Sequence, residues 1–276
     1  MKLFNKVAIV GVGLIGGSIA QAIKKKGLAG EVVGVSRHKK TLLLAKRLKA
    51  IDRGSQDLNI IKGADLVILA TPVDIIMNLA AKISTLVSKE CIISDVGSTK
   101  QRIVSKLERI FPRYIGTHPL AGSEKRGIVN AQSDTFKGSL CIFTPTRYTD
   151  KKAQEKLRSL WTKLGAKLVI LSPEIHDKIL SFVSHLAHLA AFSLITTIPA
   201  DYLKFASGGL KDTTRIAASD SELWADIFLS NQKYIVKAVT SFQENLGRIK
   251  SAINKRDKKL LIQILKKARV KRAALG

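Results

Sequence analysis

The side chains that could do chemistry lie in a few short stretches, far apart along the chain. His118 follows an apolar run at 114–117, and an imidazole at the end of a strand is a natural proton acceptor for a hydroxyl. Ser98 lies in Asp95-Val96-Gly97-Ser98-Thr99-Lys100, just past another apolar run, and Thr71-Pro72 follows a third. Downstream, His185 and His188 stand three positions apart with Ser184 beside them, a spacing that puts both rings on one helix face. No third ligand of suitable type occupies a neighbouring helical position, so no metal site is expected. Two imidazoles and a hydroxyl facing a cleft suit an anionic or hydroxylated small molecule instead. Arg215 ends the run Lys211-Asp212-Thr213-Thr214-Arg215; a guanidinium there can grip a carboxylate through two hydrogen bonds, and Asp212 can cap the helix that follows. Trp224 stands among Leu223, Ile227 and Phe228, a composition suited to a core or a subunit interface. Spacing alone leaves His118 open between a proton acceptor and a hydrogen-bonded structural histidine. It likewise leaves Arg215 open between a carboxylate grip and a surface ion pair.

These groups need a frame, and the N-terminal sequence supplies one. Val7-Ala8-Ile9-Val10 reads as a parallel strand buried on both faces, because it shows no polar alternation. Gly11, Gly13 and Gly16 then give G-x-G-x-x-G, leading directly into a helix over 14–26 that begins with Leu14 and Ile15. The first glycine permits a tight turn, the second admits a pyrophosphate close to the backbone, and the third lets helix pack on strand. The N–H groups of the helix start, at the positive end of its dipole, hold phosphate. A dinucleotide is therefore the expected ligand. A second strand over 31–36 ends in Ser36-Arg37-His38-Lys39-Lys40, where an enzyme using NAD carries an acid for the ribose 2′-hydroxyl. Ser36 and Arg37 suit a 2′-phosphate, which favours NADP over NAD; a solvated basic turn is the alternative.

Further buried strands are predicted over 64–70, 91–95 and 114–117. Thr71 is read as an N-cap with Pro72 as the first helical residue, so Thr71, Ser98 and His118 converge on the carboxyl edge of one sheet. Strands over 140–144 and 167–171 flank a helix over 150–164. Ser172-Pro173-Glu174 carries a cap, an N1 proline and an acidic first turn, opening a long helix to about residue 198. No strand pattern returns after it. The expected architecture is an α/β Rossmann-type dinucleotide-binding domain over 1–172, followed by an all-helical domain over 173–276.

The length of 276 residues and the 46% hydrophobic content suit two packed domains. Cys91 and Cys141 lie in apolar runs and read as buried thiols in a reducing, cytoplasmic setting. No apolar run is read as membrane-spanning, and no signal peptide precedes the first strand. The net charge of +26 attracts anions generally. Its lysines and arginines are scattered without interleaved aromatic residues, so specific nucleic-acid binding is not expected. A last helix over 255–272 puts Leu260, Leu261, Ile264, Leu265 and Ala268 on one side and basic residues on the other, which reads as a core-packing or oligomer-forming helix.

In series, GVGLIGGSIA, ATPV, DVGSTK, THPLAGSEKRG, LSPEIHD, SHLAHLAAF, GGLKDTTRIA and SELWADIFLSN resemble the prephenate dehydrogenase family, which includes the arogenate dehydrogenases. The likeness spans nearly the whole chain and departs at Ala187, where the family often has proline. It implies a helical dimerisation domain and an active site in the cleft between domains. It also implies oxidative decarboxylation of prephenate, with hydride passing to NAD(P), in tyrosine biosynthesis. By resemblance His118 accepts a hydrogen bond from the substrate hydroxyl and Ser98 orients it. Arg215 holds a substrate carboxylate, His185 and His188 line the pocket, and Trp224 reaches in from the partner subunit. Arogenate as substrate is one alternative; a non-catalytic NADP-binding regulator associated with RNA is another. Glu124 could pair with arogenate's ammonium, but Lys125 and Arg126 follow it and favour dianionic prephenate; Asp212 is the other carboxylate in reach of that choice.

Overall fold

The computed structural model describes residues 2–122 and 125–275, so Glu124 lies outside the described residues. The chain alternates strand and helix through β1 (Phe4–Val10), α1 (Leu14–Lys25), β2 (Ala29–Val35), α2 (Lys39–Arg47), β3 (Arg53–Ser55), β4 (Leu66–Leu69), α3 (Val73–Ser84), β5 (Ile92–Asp95), α4 (Gln101–Leu107) and β6 (Tyr114–Pro119). Then come β7 (Leu140–Thr144), α5 (Lys151–Leu164) and β8 (Lys167–Ile170). One sheet results, in the order β3-β2-β1-β4-β5-β6-β7-β8. Its strands are parallel from β3 to β6, β7 runs antiparallel to β6, and β8 is parallel to β7. The strands carry apolar side chains on both faces because helices cover both. Along β1, Val7 and Ile9 join one core with α1 and α5, while Ala8 and Val10 join the other with α3 and α4. The strand order reverses between β1 and β4, and a crevice outside the carboxyl ends of strands at such a reversal is where ligands bind.

Beyond β8 the described chain is helical: α6 (Pro173–Leu180), α7 (Leu186–Thr197), α8 (Gly208–Thr214), α9 (Ser221–Ser230), α10 (Gln232–Asn254) and α11 (Lys258–Ala273). Ser172 caps α6 by accepting from Ile175 N, with Pro173 in the first turn. A wide π-helical turn, Ser181–His185, joins α6 to α7. Contrary to the sequence expectation, the run from Pro173 to Thr197 is long and apolar enough to cross a membrane by length and composition. The expectation failed because polar residues interrupt the apolar run in sequence. In the fold, four of them, His176, Asp177, Ser181 and His185, are buried against the rest of the protein. Ile179, Phe182 and Val183 on the same run are exposed.

Candidate active site

The glycine turn has the geometry its spacing requires. Gly11 adopts φ +100°, and a Cβ there would come 2.5 Å from the Ala70 carbonyl oxygen, so a larger residue is excluded on both counts. A Cβ on Gly16 would lie 2.0 Å from Gly11 O. Gly13 differs, since a Cβ there would meet nothing within 4 Å; this is the open side of the turn. No side chain caps α1, which leaves the N–H groups of its first turn, at Leu14, Ile15 and Gly16, for an anion. Beside them Thr71 Oγ1 is buried without a hydrogen-bond partner. Such an orphan hydroxyl, next to an open cradle and a bare helix start, fits a dinucleotide. Thr71 is not the N-cap expected from sequence: Pro72 occupies that position in an extended conformation (φ −51°, ψ 154°) and α3 starts at Val73. At the end of β2, Ser36 Oγ accepts from His38 N at 3.2 Å, and Gln56 Nε2 donates to Arg37 O at 2.7 Å. The Arg37 side chain is exposed.

The end of β6 carries His118, half-buried and at one end of a hydrogen-bonded chain. Its Nδ1 lies 2.8 Å from His176 Nε2, and His176 Nδ1 lies 2.8 Å from Asp177 Oδ1. The Asp177 carboxylate also accepts from Lys100 N at 2.7 Å and Gln101 N at 2.8 Å, at the start of α4. A carboxylate only accepts, so His176 Nδ1 carries a proton and its Nε2 carries a lone pair. His118 Nδ1–H must then donate to His176, and His118 Nε2 is left as the basic nitrogen. Burial, aided by His176, Lys100 and His185, holds His118 well below the usual imidazole range. It is a neutral base at neutral pH.

Beneath it, Asp95 closes β5 and organises the loop that follows. Asp95 Oδ2 accepts from Gly97 N at 2.8 Å and from Lys100 Nζ, and Oδ1 accepts from Tyr114 Oη at 2.6 Å. Asp95 and Lys100 are both fully buried. Thr117 Oγ1 donates to Asp95 O at 2.6 Å, so the loop with Ser98 and the strand with His118 share one anchor.

The helical side supplies the other wall. Trp224, which the resemblance implies reaches in from a partner subunit, is buried within its own chain, where His188 stacks on it with centroids 3.6 Å apart and planes 22° from parallel. Its Nδ1–H donates to Ser184 O at 3.1 Å, leaving Nε2 as the acceptor. Burial lowers His188's pKa most; the Ser184 carbonyl opposes this, and the nearby Arg215 charge adds to it. Arg215 follows α8 on the short turn Arg215–Ala218, which packs against α7. Asp212 lies inside α8, exposed, where it caps no helix; Ser207 holds the N-cap position instead. The expected capping fails because α8 already begins at Gly208, four residues before Asp212. Arg126 pairs with Asp220, whose Oδ1 also caps α9 through Leu223 N at 2.6 Å.

His185 takes a different place from the one expected. It is 1% exposed, its Nδ1 stands 3.2 Å from Asn231 Nδ2, and the Ser98 backbone meets the ring as well. Burial pushes its pKa down to about 4. The π-helical turn explains how it gets there. Residues nine apart in an α-helix lie about 180° apart around the axis. A five-residue π-turn winds more slowly and removes roughly half of that offset, bringing His185 toward the side of His176. Sequence reasoning overlooked His176, Asp177, Asp95, Lys100, Ser230 and Asn231. The adjacent His-Asp pair in the first turns of a capped helix was the one local signal of the buried chain.

The chain matches two family models in succession: the prephenate dehydrogenase nucleotide-binding domain over residues 19–170 and the prephenate dehydrogenase dimerization domain over 172–267. It is 35% identical to prephenate dehydrogenase of Bacillus subtilis, over 97% of this chain and 75% of that protein. It is 31% identical to cyclohexadienyl dehydrogenase of Zymomonas mobilis, over 100% of this chain and 97% of that one. The crystal structure of A. aeolicus prephenate dehydrogenase with hydroxyphenyl propionate and NAD+ superposes with a TM-score of 0.94 at 34% identity, covering 99% of this chain and 98% of that one.

Proposed function

The chain belongs to the prephenate dehydrogenase family, and from that premise we propose that it converts prephenate to 4-hydroxyphenylpyruvate and carbon dioxide, in tyrosine biosynthesis. The observation that carries this reading is the His118–His176–Asp177 chain, which leaves His118 Nε2 neutral and basic at the cofactor edge of the sheet. His118 Nε2 accepts the hydrogen bond of the substrate's ring hydroxyl as the hydroxyl-bearing carbon is oxidised. His118 Nδ1–H, held by His176 and behind it Asp177, stabilises the positive charge that builds on the imidazole. Ser98 orients the hydroxyl, Arg215 holds a carboxylate, and His188 with Trp224 lines the ring. The nicotinamide, when bound, supplies the hydride acceptor. Gly11, Gly13, Leu14, Ile15, Gly16, Thr71 and Pro72 would hold the dinucleotide that carries it. Loss of the ring carboxylate as carbon dioxide makes the ring aromatic and drives the reaction.

The fold suits a homodimer joined through the helical domain, since Ile179, Phe182 and Val183 expose an apolar strip on a segment matching the dimerization domain. Cys91 and Cys141 are free and buried, with burial pushing the Cys91 thiol up to about 12. This accords with a cytoplasmic enzyme that needs no disulfide.

Prephenate should be preferred to arogenate. The two differ where arogenate carries an ammonium, and a desolvated ammonium needs a carboxylate partner. Asp212 is solvent-exposed, where an ion pair contributes at most about 1 kcal/mol. Arg126, one of the two cations expected to favour a dianion, is paired with Asp220, so the substrate preference rests on the ammonium. An ammonium without a buried partner costs more than the roughly 1–3 kcal/mol of a neutral polar group, and about 1.4 kcal/mol already makes a factor of ten, so kcat/KM for prephenate should be at least about tenfold above that for arogenate. A steady-state assay crossing both substrates with NADP and NAD tests the reaction; a higher kcat/KM for arogenate would overturn the substrate assignment.

The same assay addresses the cofactor. Ser36 and Arg37 stand at the end of β2 with no acid among residues 36–40, so NADP should serve at least as well as NAD. Arg37→Ala should cut kcat/KM for NADP by roughly 10- to 100-fold, as expected for one charge-assisted hydrogen bond, and leave NAD nearly unaffected. Equal losses with both cofactors would show that Arg37 does not read the 2′-phosphate.

A further inference from the structure

The loop that carries Ser98 is held from the helical domain at successive residues. Asp177 accepts from Lys100 N and Gln101 N. Ser230 Oγ donates to Ile227 O at 3.0 Å, so it accepts from the Thr99 hydroxyl, 3.0 Å away. Asn231 Nδ2 donates to Asp177 O at 2.8 Å and faces His185 Nδ1 at 3.2 Å. Thr99, Ser230, Asn231 and His185 are all buried. An amide nitrogen has two hydrogens, and both are used here on acceptors that a carboxylate or hydrocarbon could not satisfy. Ser230 and Asn231 form the junction between α9, which carries Trp224, and α10. We infer that the Ser230–Asn231 junction is a positioning clamp, which sets the Ser98 loop against the His118–His176–Asp177 chain and ties both to the helix bearing Trp224. The inference rests on the reaction proposed above for its kinetic consequence, but not for its geometry.

With Asn231 donating, His185 Nδ1 is an acceptor. Asn231→Asp replaces that donor with an acceptor, so His185 must take up a proton to keep the contact. The ionisable groups around His185 are Asp177, His176, His188 and His118, and all remain in the variant. NMR titration should find His185 moved up by more than about one unit from its value of about 4. Thr99→Val removes only the hydroxyl that meets Ser230; kcat should fall at least about tenfold, with Kd for NADP, read by fluorescence titration, within about twofold of wild type. Thr99→Ser should restore kcat. Wild-type kcat in Thr99→Val would overturn the clamp, as would parallel losses of kcat, cofactor affinity and Tm without rescue by serine. An unmoved His185 in folded Asn231→Asp would also overturn it, and should that variant not fold, the Thr99 pair decides. A wild-type enzyme inactive on prephenate would sink the proposed reaction, while the His185 titration would still read the clamp.

Discussion

Replacing His118 with asparagine should lower kcat by about 10²–10⁴-fold, the usual contribution of a positioned general base, while cofactor binding is retained. Asparagine can still donate to His176 Nε2, so the hydrogen-bonded chain keeps its first link. What it lacks is the second, basic ring nitrogen. The glycine turn and the α1 start lie on other elements, which is why Kd for the cofactor should stay near wild type. The pH dependence follows from the same geometry. His118 is active when neutral, and its pKa is held well below the usual imidazole range, chiefly by burial. Protonation inactivates it, so kcat/KM should be flat from about pH 6 to 8 and fall only on further acidification. A loss below about tenfold in His118→Asn would mean that the hydroxyl proton is accepted elsewhere. An acid limb centred near 6.5 and abolished in the variant would mean that the buried chain does not hold His118 low.

What the sequence revealed and what it concealed divide along a physical line. The β1–turn–α1 unit was legible because its signals are local: a strand without polar alternation, then glycines where φ is positive or a Cβ would strike a carbonyl oxygen. His118 was legible as a candidate for the same reason, a polar residue ending an apolar run. Its partners were not. His176 and Asp177 meet it only because β6 and α6 pack in the fold, and no spacing rule joins residues on two separate elements. The offset between His176 and His185 was concealed by a π-turn, which no periodic template contains. Thr71 and Asp212 were misplaced by one consideration each. Pro72 adopts an extended conformation ahead of α3, and Gly208-Gly209, costly in a helix interior by about 1 kcal/mol each, nonetheless start α8. A buried Lys100 was least legible of all, because lysine is read as a surface residue unless its partner is known.

That lysine carries the largest expected effect on stability. Lys100 and Asp95 are fully buried and paired, and among the described residues the Asp95 carboxylate has only Gly97 N and Tyr114 Oη as further partners. Removing one member of such a pair leaves the other charged, desolvated and short of a partner, a loss of about 3–5 kcal/mol. Lys100→Met should show a loss in that range and lower Tm by roughly 10 °C, given about 2–4 °C per kcal/mol for a chain of this size. Asp95→Asn should cost more, because it strands an ammonium that has no other acceptor among the described residues and also weakens the acceptor for Tyr114 and Gly97. The double variant Asp95→Asn/Lys100→Met should be less damaging than the sum of the two, since neither partner is then left unpaired. A second signature lies in the site itself. The Lys100 charge helps to hold His118 and His176 low, so Lys100→Met should move the acid limb of kcat/KM upward in pH. Denaturant unfolding of the four proteins at one fixed concentration completes the cycle. A Lys100→Met loss under about 1 kcal/mol, the value of an exposed ion pair, would show that the pair contributes little to the fold and that Asp95 is held by Tyr114 and Gly97 alone.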